Sequence, residues 1–258
     1  MSEAIYRPLI DDMTWSYSRV ECFNDCPYRW FLTYICKESG VPQFYSSYGT
    51  FIHKLIEQYY RGEITKEEMH LRFLIDFSKE VQGVRPKEST VKKYIEQGNE
   101  YLKGFEPFPF DMIDVESRVE FDIDGIPFVG IIDYIGEKDG DIYIVDNKSR
   151  DLRPRSGRKT PTQNDKDLDD TLRQLYIYST AVKQKYGKFP RALCLNCFRT
   201  GVFIKEQFDE QKYNEAIEWA KTSIERIKNA DEFYPNVEFF GCQYICNHYS
   251  DCCYWQGR

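Results

Sequence analysis

Apolar and polar positions alternate most clearly in the middle of the chain. "DVESRVEFDIDGIPFVGIIDYIGEKDGDIYIVDNKS" predicts three strands, near 115–122, 126–136 and 141–148, joined by the turn signals Asp124-Gly125 and Asp139-Gly140. In the third, Ile142, Ile144 and Asp146 fall on one side and Tyr143, Val145 and Asn147 on the other. A strand has a period of two, so Asp146 and Lys148 project from the same face. An acid and a lysine at a strand end are either a solvated ion pair, energetically minor, or a cation-holding carboxylate beside a lysine that manages a water.

Before this block the spacing is helical. "TWSYSRVECFNDCPYRWFLTYI" (14–35) opens on Ser and Thr capping candidates and places Val20, Phe23 and Phe31 on one stripe, with a break expected at Pro27. A helix over 46–63, entered after a glycine, would bury Phe51, Ile52, Leu55, Ile56 and Tyr59. Residues 66–80 and 89–105 read as two further amphipathic helices. After the strands come a basic loop, a long helix over 167–186, a hairpin turning at Thr200-Gly201 and a helix over 209–229. The reading is one α/β domain over 1–258: a helical part (1–105), a core with a central mixed sheet (106–208), and a C-terminal helix with a cysteine-rich tail (209–258).

Composition narrows the classes. The chain of 258 residues is 41% hydrophobic and 30% charged, which is globular rather than disordered. Its longest apolar runs are too short to span a membrane, and "MSEAIYRPLI" lacks the basic-then-apolar pattern of a signal peptide. A cytoplasmic location is expected, in the host cytoplasm if the gene is viral. The net charge of −7 argues against a nucleic-acid binder, but its distribution changes that. Residues 150–159 carry five basic side chains against one acid, enough to meet phosphates locally while acids elsewhere hold metal.

Several polar residues converge on the strand end in this reading. Asp133 sits in "GIIDYI" on the strand antiparallel to that of Asp146, Gln174 and Tyr178 share a helix face, and His53 lies on the helix after Gly49-Thr50. Glu57, one turn beyond His53, and Glu120, on the first strand, are within plausible reach but under-supported. Asp133, then Asp146-Asn147-Lys148, then Gln174-x-x-x-Tyr178 resembles the PD-(D/E)XK nuclease superfamily, more closely its RecB-like branch, which includes the Cas4-like exonucleases. His53 in "GTFIHKLIE" resembles that branch's upstream histidine, and "SYSRVECFNDCPYRWFLTYI" its N-terminal segment. The sequence departs from the commonest pattern at Asn147, where an apolar or aromatic residue is frequent; the family uses that residue's backbone carbonyl.

The resemblance implies a restriction-endonuclease-like fold and a Mg²⁺ or Mn²⁺ site made by His53, Asp133, Asp146 and the Asn147 carbonyl. Such oxygen-rich sets suit hard divalent ions. Asp133, Asp146, Lys148, Gln174 and Tyr178 then form the catalytic set, with Lys148 orienting or deprotonating water and the Gln/Tyr pair positioning the strand or the lysine.

Of nine cysteines, Cys242, Cys246, Cys252 and Cys253 crowd the C-terminus, and Cys26 stands far upstream before Pro27. In a cytosolic chain a disulfide framework is not expected. The RecB-like resemblance implies a [4Fe–4S] cluster on Cys26, Cys242, Cys246 and Cys252, with Cys253 competing for the last place. A structural Zn²⁺ on the same residues, with His248 available, is the alternative, and uncoordinated thiols are a third reading. Cys194, Cys197, Cys22 and Cys36 are expected to be buried small hydrophobes.

Two functions remain open on sequence. One is a metal-dependent exonuclease acting on DNA ends or single strands, the basic loop tracking phosphates and aromatics near Tyr178 stacking bases. The other is a nucleic-acid-binding recombination accessory module with a weak or inactive core. Recombination, replication or CRISPR-adaptation proteins are the partners such a chain would meet; a membrane is not.

Overall fold

The computed structural model describes residues 6–238 and 240–255; the start of the opening segment and the last three residues of the tail lie outside the described residues. Five strands form one sheet in the order β1-β2-β3-β4-β5. β1 (Asp111–Ile123) and β2 (Ile126–Lys138) make a long hairpin, and β3 (Asp141–Lys148) pairs antiparallel with β2. β4 (Ala192–Cys197) runs parallel to β3, and β5 (Val202–Gln207) returns antiparallel. Asp124-Gly125 and Asp139-Gly140 both take positive φ, the backbone that two-residue hairpin turns demand. The parallel step needs a crossover, which α7 (Gln163–Tyr186) supplies. The observed architecture is the expected mixed α/β sheet flanked by helices.

One face of the sheet packs on α7 and α8 (Glu210–Lys228), joined by α1 (Arg7–Asp11), α2 (Tyr17–Asp25) and α3 (Pro27–Trp30). Trp15, Trp30, Phe128, Ile144, Leu172 and Ile224 belong to this core. The other face carries Phe110, Tyr134, Tyr143 and Val145. Beyond it, α4 (Phe44–Tyr60), α5 (Lys66–Glu80) and α6 (Glu88–Lys103) close around Phe44, Tyr48, Phe73 and Phe105. The high aromatic content is thus largely core material. No helix among the described residues is long and apolar enough to cross a membrane.

Several boundaries differ from the pattern reading. α4 begins at Phe44, so Gly49 lies inside the helix instead of before it. α7 begins at Gln163 because Thr162 and Asp165 form a reciprocal capping box, which hydrophobic spacing does not reveal. Pro27 does break the first helical stretch, and Cys26 caps the next one. Cys194 and Cys197 are buried in cores on opposite faces, as strand alternation requires. Cys22 is half-buried, and Cys36 is exposed rather than buried, because it follows the last turn of the segment Phe31–Ile35.

Candidate active site

The β2–β3 ladder ends at Tyr134–Val145, and the next residues on the two strands are Asp133 and Asp146. From there the strands separate. The Asn147 N–H donates to Asp133 Oδ2 at 2.7 Å, replacing a ladder bond with a side-chain one. This opening is the floor of a cleft of about 490 Å³ whose opposite wall is α4.

His53 enters from α4. Its Nδ1 lies 3.2 Å from Asp133 Oδ2 and its Nε2 2.7 Å from the Asn147 carbonyl oxygen. Both neighbours are acceptors, and a neutral imidazole has one N–H for the two of them. One ring nitrogen therefore faces an oxygen lone pair to lone pair, an arrangement that a cation relieves. Phe198 meets the ring edge-on at 6.0 Å and limits its rotation.

Asp146 is 3% exposed. Burial, with Asp133 nearby, pushes its carboxyl up to about 6 although Lys148 pulls the other way. Lys148 Nζ lies 2.8 Å from Asp146 Oδ2. The Lys148 ammonium is thus the close ionic partner of this buried carboxylate oxygen. Burial alone would depress the Lys148 ammonium, but the Asp146 carboxylate outweighs it and the group is raised, hence charged. Lys148 also donates to Gln174 Oε1 at 2.9 Å, and Gln174 Nε2 lies 3.4 Å from the Tyr178 hydroxyl. The (i, i+4) pair on α7 thus reaches the lysine in series.

One acid of the site was missed in the sequence. β1 pairs Val115 with Tyr134 and Ser117 with Ile132, so Glu116 falls opposite Asp133. Its φ of +49° bends the strand there. Glu116, His53 and Asp133 offer ligand atoms within 4.8 Å of one another. Burial and the Asp133 carboxylate push Glu116 up to about 7. Glu57 also lines the cleft but is paired with Arg61; Glu120 points to solvent against Arg118. Glu116 and Glu120 share an outward strand face in the sequence pattern, and only the bend separates them. His53, Glu116 and Asp133, with the imidazole between two acceptors, fit a divalent cation; Asp146 lines the same cleft but lies outside that close set.

The basic loop is tied down rather than free. Arg155 pairs with Asp169 and Glu206, so it is a structural clip. Asp165 accepts from the backbone N–H and side-chain hydroxyl of both Ser156 and Thr162, donors that hold its carboxyl well below the usual range. Arg153, Arg158 and Lys159 are exposed. Tyr178 and Tyr176 are buried, so neither ring is itself exposed for a base to stack on. Tyr45 is the half-buried aromatic on the cleft wall.

At the other end of α2, Cys26, Cys242, Cys246 and Cys252 line one small cavity together with Arg29 and His248. Cys253 is exposed and not among the lining residues, its Sγ lying 3.5 Å from the Tyr28 hydroxyl. His248 Nε2 meets Thr33 Oγ1 at 2.9 Å, and its buried Nδ1 has no partner.

Sequence-family comparison matches residues 14–254 to the PD-(D/E)XK nuclease superfamily. No curated protein matches. Among solved structures, the chain resembles a crystal structure of a candidate exonuclease from Eubacterium rectale, with 13% identity, 91% of this chain and 89% of that chain covered, and a TM-score of 0.53. SSO0001 aligns over 92% of this chain and 85% of its own at 14% identity and a TM-score of 0.35. The first likeness is one of fold alone. The family match is another matter: it runs through α4, the acidic hairpin, the lysine, the Gln/Tyr helix and the cysteine tail, and the chain belongs to the PD-(D/E)XK nuclease superfamily.

Proposed function

We propose that this chain is a divalent-metal-dependent DNA exonuclease of the RecB-like, Cas4-like kind, acting on DNA ends or single strands. The observation that carries the proposal is the convergence of His53, Asp133, Asp146 and the Asn147 carbonyl in one cleft beside a charged lysine. These groups, with Glu116, would hold Mg²⁺ or Mn²⁺, and such an ion supplies polarisation of a phosphodiester and acidification of water. Lys148 would orient the attacking water and meet charge developing on the phosphate. Gln174 and Tyr178 hold Lys148 in place, and the exposed Arg153, Arg158 and Lys159, on the loop that follows β3, would meet the phosphate backbone. A protein that only binds DNA has no use for a half-buried lysine set against a buried carboxylate at the cleft floor, which speaks for catalysis over an accessory binding role. Recombination, repair, replication or CRISPR adaptation are the settings such an activity serves.

Labelled single-stranded and end-containing duplex DNA with Mn²⁺ tests this. Asp146→Ala is expected to lower cleavage at least about 100-fold. Equal cleavage by the two proteins removes Asp146 from the mechanism; wild-type protein that binds but cleaves none of these substrates is the accessory module instead.

Cys26, Cys242, Cys246 and Cys252, which line one small cavity, would hold a [4Fe–4S] cluster, with structural Zn²⁺ the alternative. Cys252 lines the cavity and Cys253 does not, which supports Cys252 as the fourth ligand. A cluster there would fasten the tail to α2 and α3. Anaerobically purified protein is expected to absorb broadly near about 400 nm; a colourless protein carrying stoichiometric zinc overturns the assignment.

A further inference from the structure

Asn147 gives both main-chain atoms to the active site. Its N–H donates to Asp133 Oδ2 and its carbonyl oxygen faces His53 Nε2, each at 2.7 Å. The side chain leaves the strand in another direction and is buried, the whole residue being 3% exposed. A buried carboxamide is costly unless its polar atoms are paired. Here Asn196 Nδ2 donates to Asn147 Oδ1 at 2.7 Å, and the same nitrogen lies 2.7 Å from the Tyr101 hydroxyl. An amide nitrogen has two N–H groups, so both are spent on these two oxygens. Asn196 stands directly beside Asn147 in the β3–β4 register and is 4% exposed. Tyr101 comes from α6, and burial raises its hydroxyl so that it stays neutral.

We infer that Asn196 and Tyr101 are positioning residues that lock the Asn147 peptide so that its carbonyl stays aimed into the divalent-cation site. The inference rests on the metal-site reading above. The β2–β3 ladder has already stopped at Tyr134–Val145, so this end of β3 is held by a ladder on the β4 side alone. Rotation of the Asn147 peptide would swing its carbonyl out of the cleft and break the Asn196 bond together. A simple register role is a weaker account, because Tyr143–Ala192 through Lys148–Cys197 already fix the alignment through successive pairs. The chain of contacts runs from a helix through one strand to a main-chain atom of the next, and it ends on a group in the site.

Tyr101→Phe and Asn196→Leu test the lock in the full-length protein with two readouts that do not depend on activity. Amide exchange without metal is expected to speed up about tenfold or more at Asn147 while Ile144 stays protected. Mn²⁺ affinity by calorimetry is expected to fall about 10-fold for Asn196→Leu, and less for Tyr101→Phe, in the range for partners that orient metal-binding groups. Unchanged exchange at Asn147 and unchanged Mn²⁺ affinity in folded Tyr101→Phe and Asn196→Leu protein overturn the lock. Wild-type protein that binds no Mn²⁺ overturns the metal-site reading and the carbonyl's role with it, while Asn147 exchange still reports whether the lock itself exists.

Discussion

Gly130 shows how closely a single atom governs the site. A Cβ there would lie 2.5 Å from Tyr178 Cε1 and 2.8 Å from its Cζ, closer than carbon atoms approach, and the ring is buried with nowhere to yield. Gly130→Ala is therefore expected to cost roughly 1–3 kcal/mol in denaturant unfolding, the range for overpacking. Displacing Tyr178 also moves its hydroxyl from Gln174, and Gln174 is what holds Lys148 from the helix side. Cleavage should slow about tenfold or more with Mn²⁺ affinity unchanged; a variant that loses metal affinity in step with rate would place Tyr178 on the metal instead. Asp133, Asp146 and Lys148 were legible from sequence because strand alternation puts the acid and the lysine on one face. Glu116 was not, since nothing in a period of two tells it from Glu120, and the left-handed backbone that turns it inward belongs to no residue preference that Glu has.

Among elements, α7 carries the most. Its first turn, through Asp165, fastens the basic loop by two hydrogen bonds from Ser156 and closes its own cap by two from Thr162, and its middle presents Gln174 and Tyr178. Asp165→Ala removes the capping box and the loop anchor together. An expected loss of about 0.5–2 kcal/mol comes from the cap; the loop should also become open to trypsin at Arg153, Arg158 and Lys159, well before the rest of the chain. Equal cleavage rates at these sites in both proteins would mean that the Arg155 clip and the buried Leu152 hold the loop without Asp165. The helix itself was legible from its apolar stripe, but its first four residues were not, because a cap is made by side-chain oxygens rather than by hydrophobic spacing. The same limit applies to α4: Gly49 reads as a punctuation mark, yet Phe44 and Tyr48 on the buried face continue the helix across it.

For the whole molecule, the acids of the cleft couple metal, proton and stability. Glu116 is pushed up to about 7 and Asp146 to about 6, both above the ordinary range of about 4 that the unfolded chain would show. Each group therefore holds a proton more tightly when folded, so its contribution to stability is complete below about pH 4 and is lost as pH rises through about 6–7. Without metal, the protein is expected to lose stability over that interval, as carboxylates accumulate beside Asp133 with no cation to balance them. A divalent ion reverses the sign, because it binds the deprotonated acids and must displace their protons. Mn²⁺ affinity should rise with pH by up to about tenfold per unit for each proton displaced, and level off above about 7. Calorimetric titration in buffers of different ionisation enthalpy at pH 6 counts those protons directly. Glu116→Gln should lower the number released and flatten the upper part of the profile, whereas a profile unchanged by Glu116→Gln would exclude that carboxylate from the divalent site.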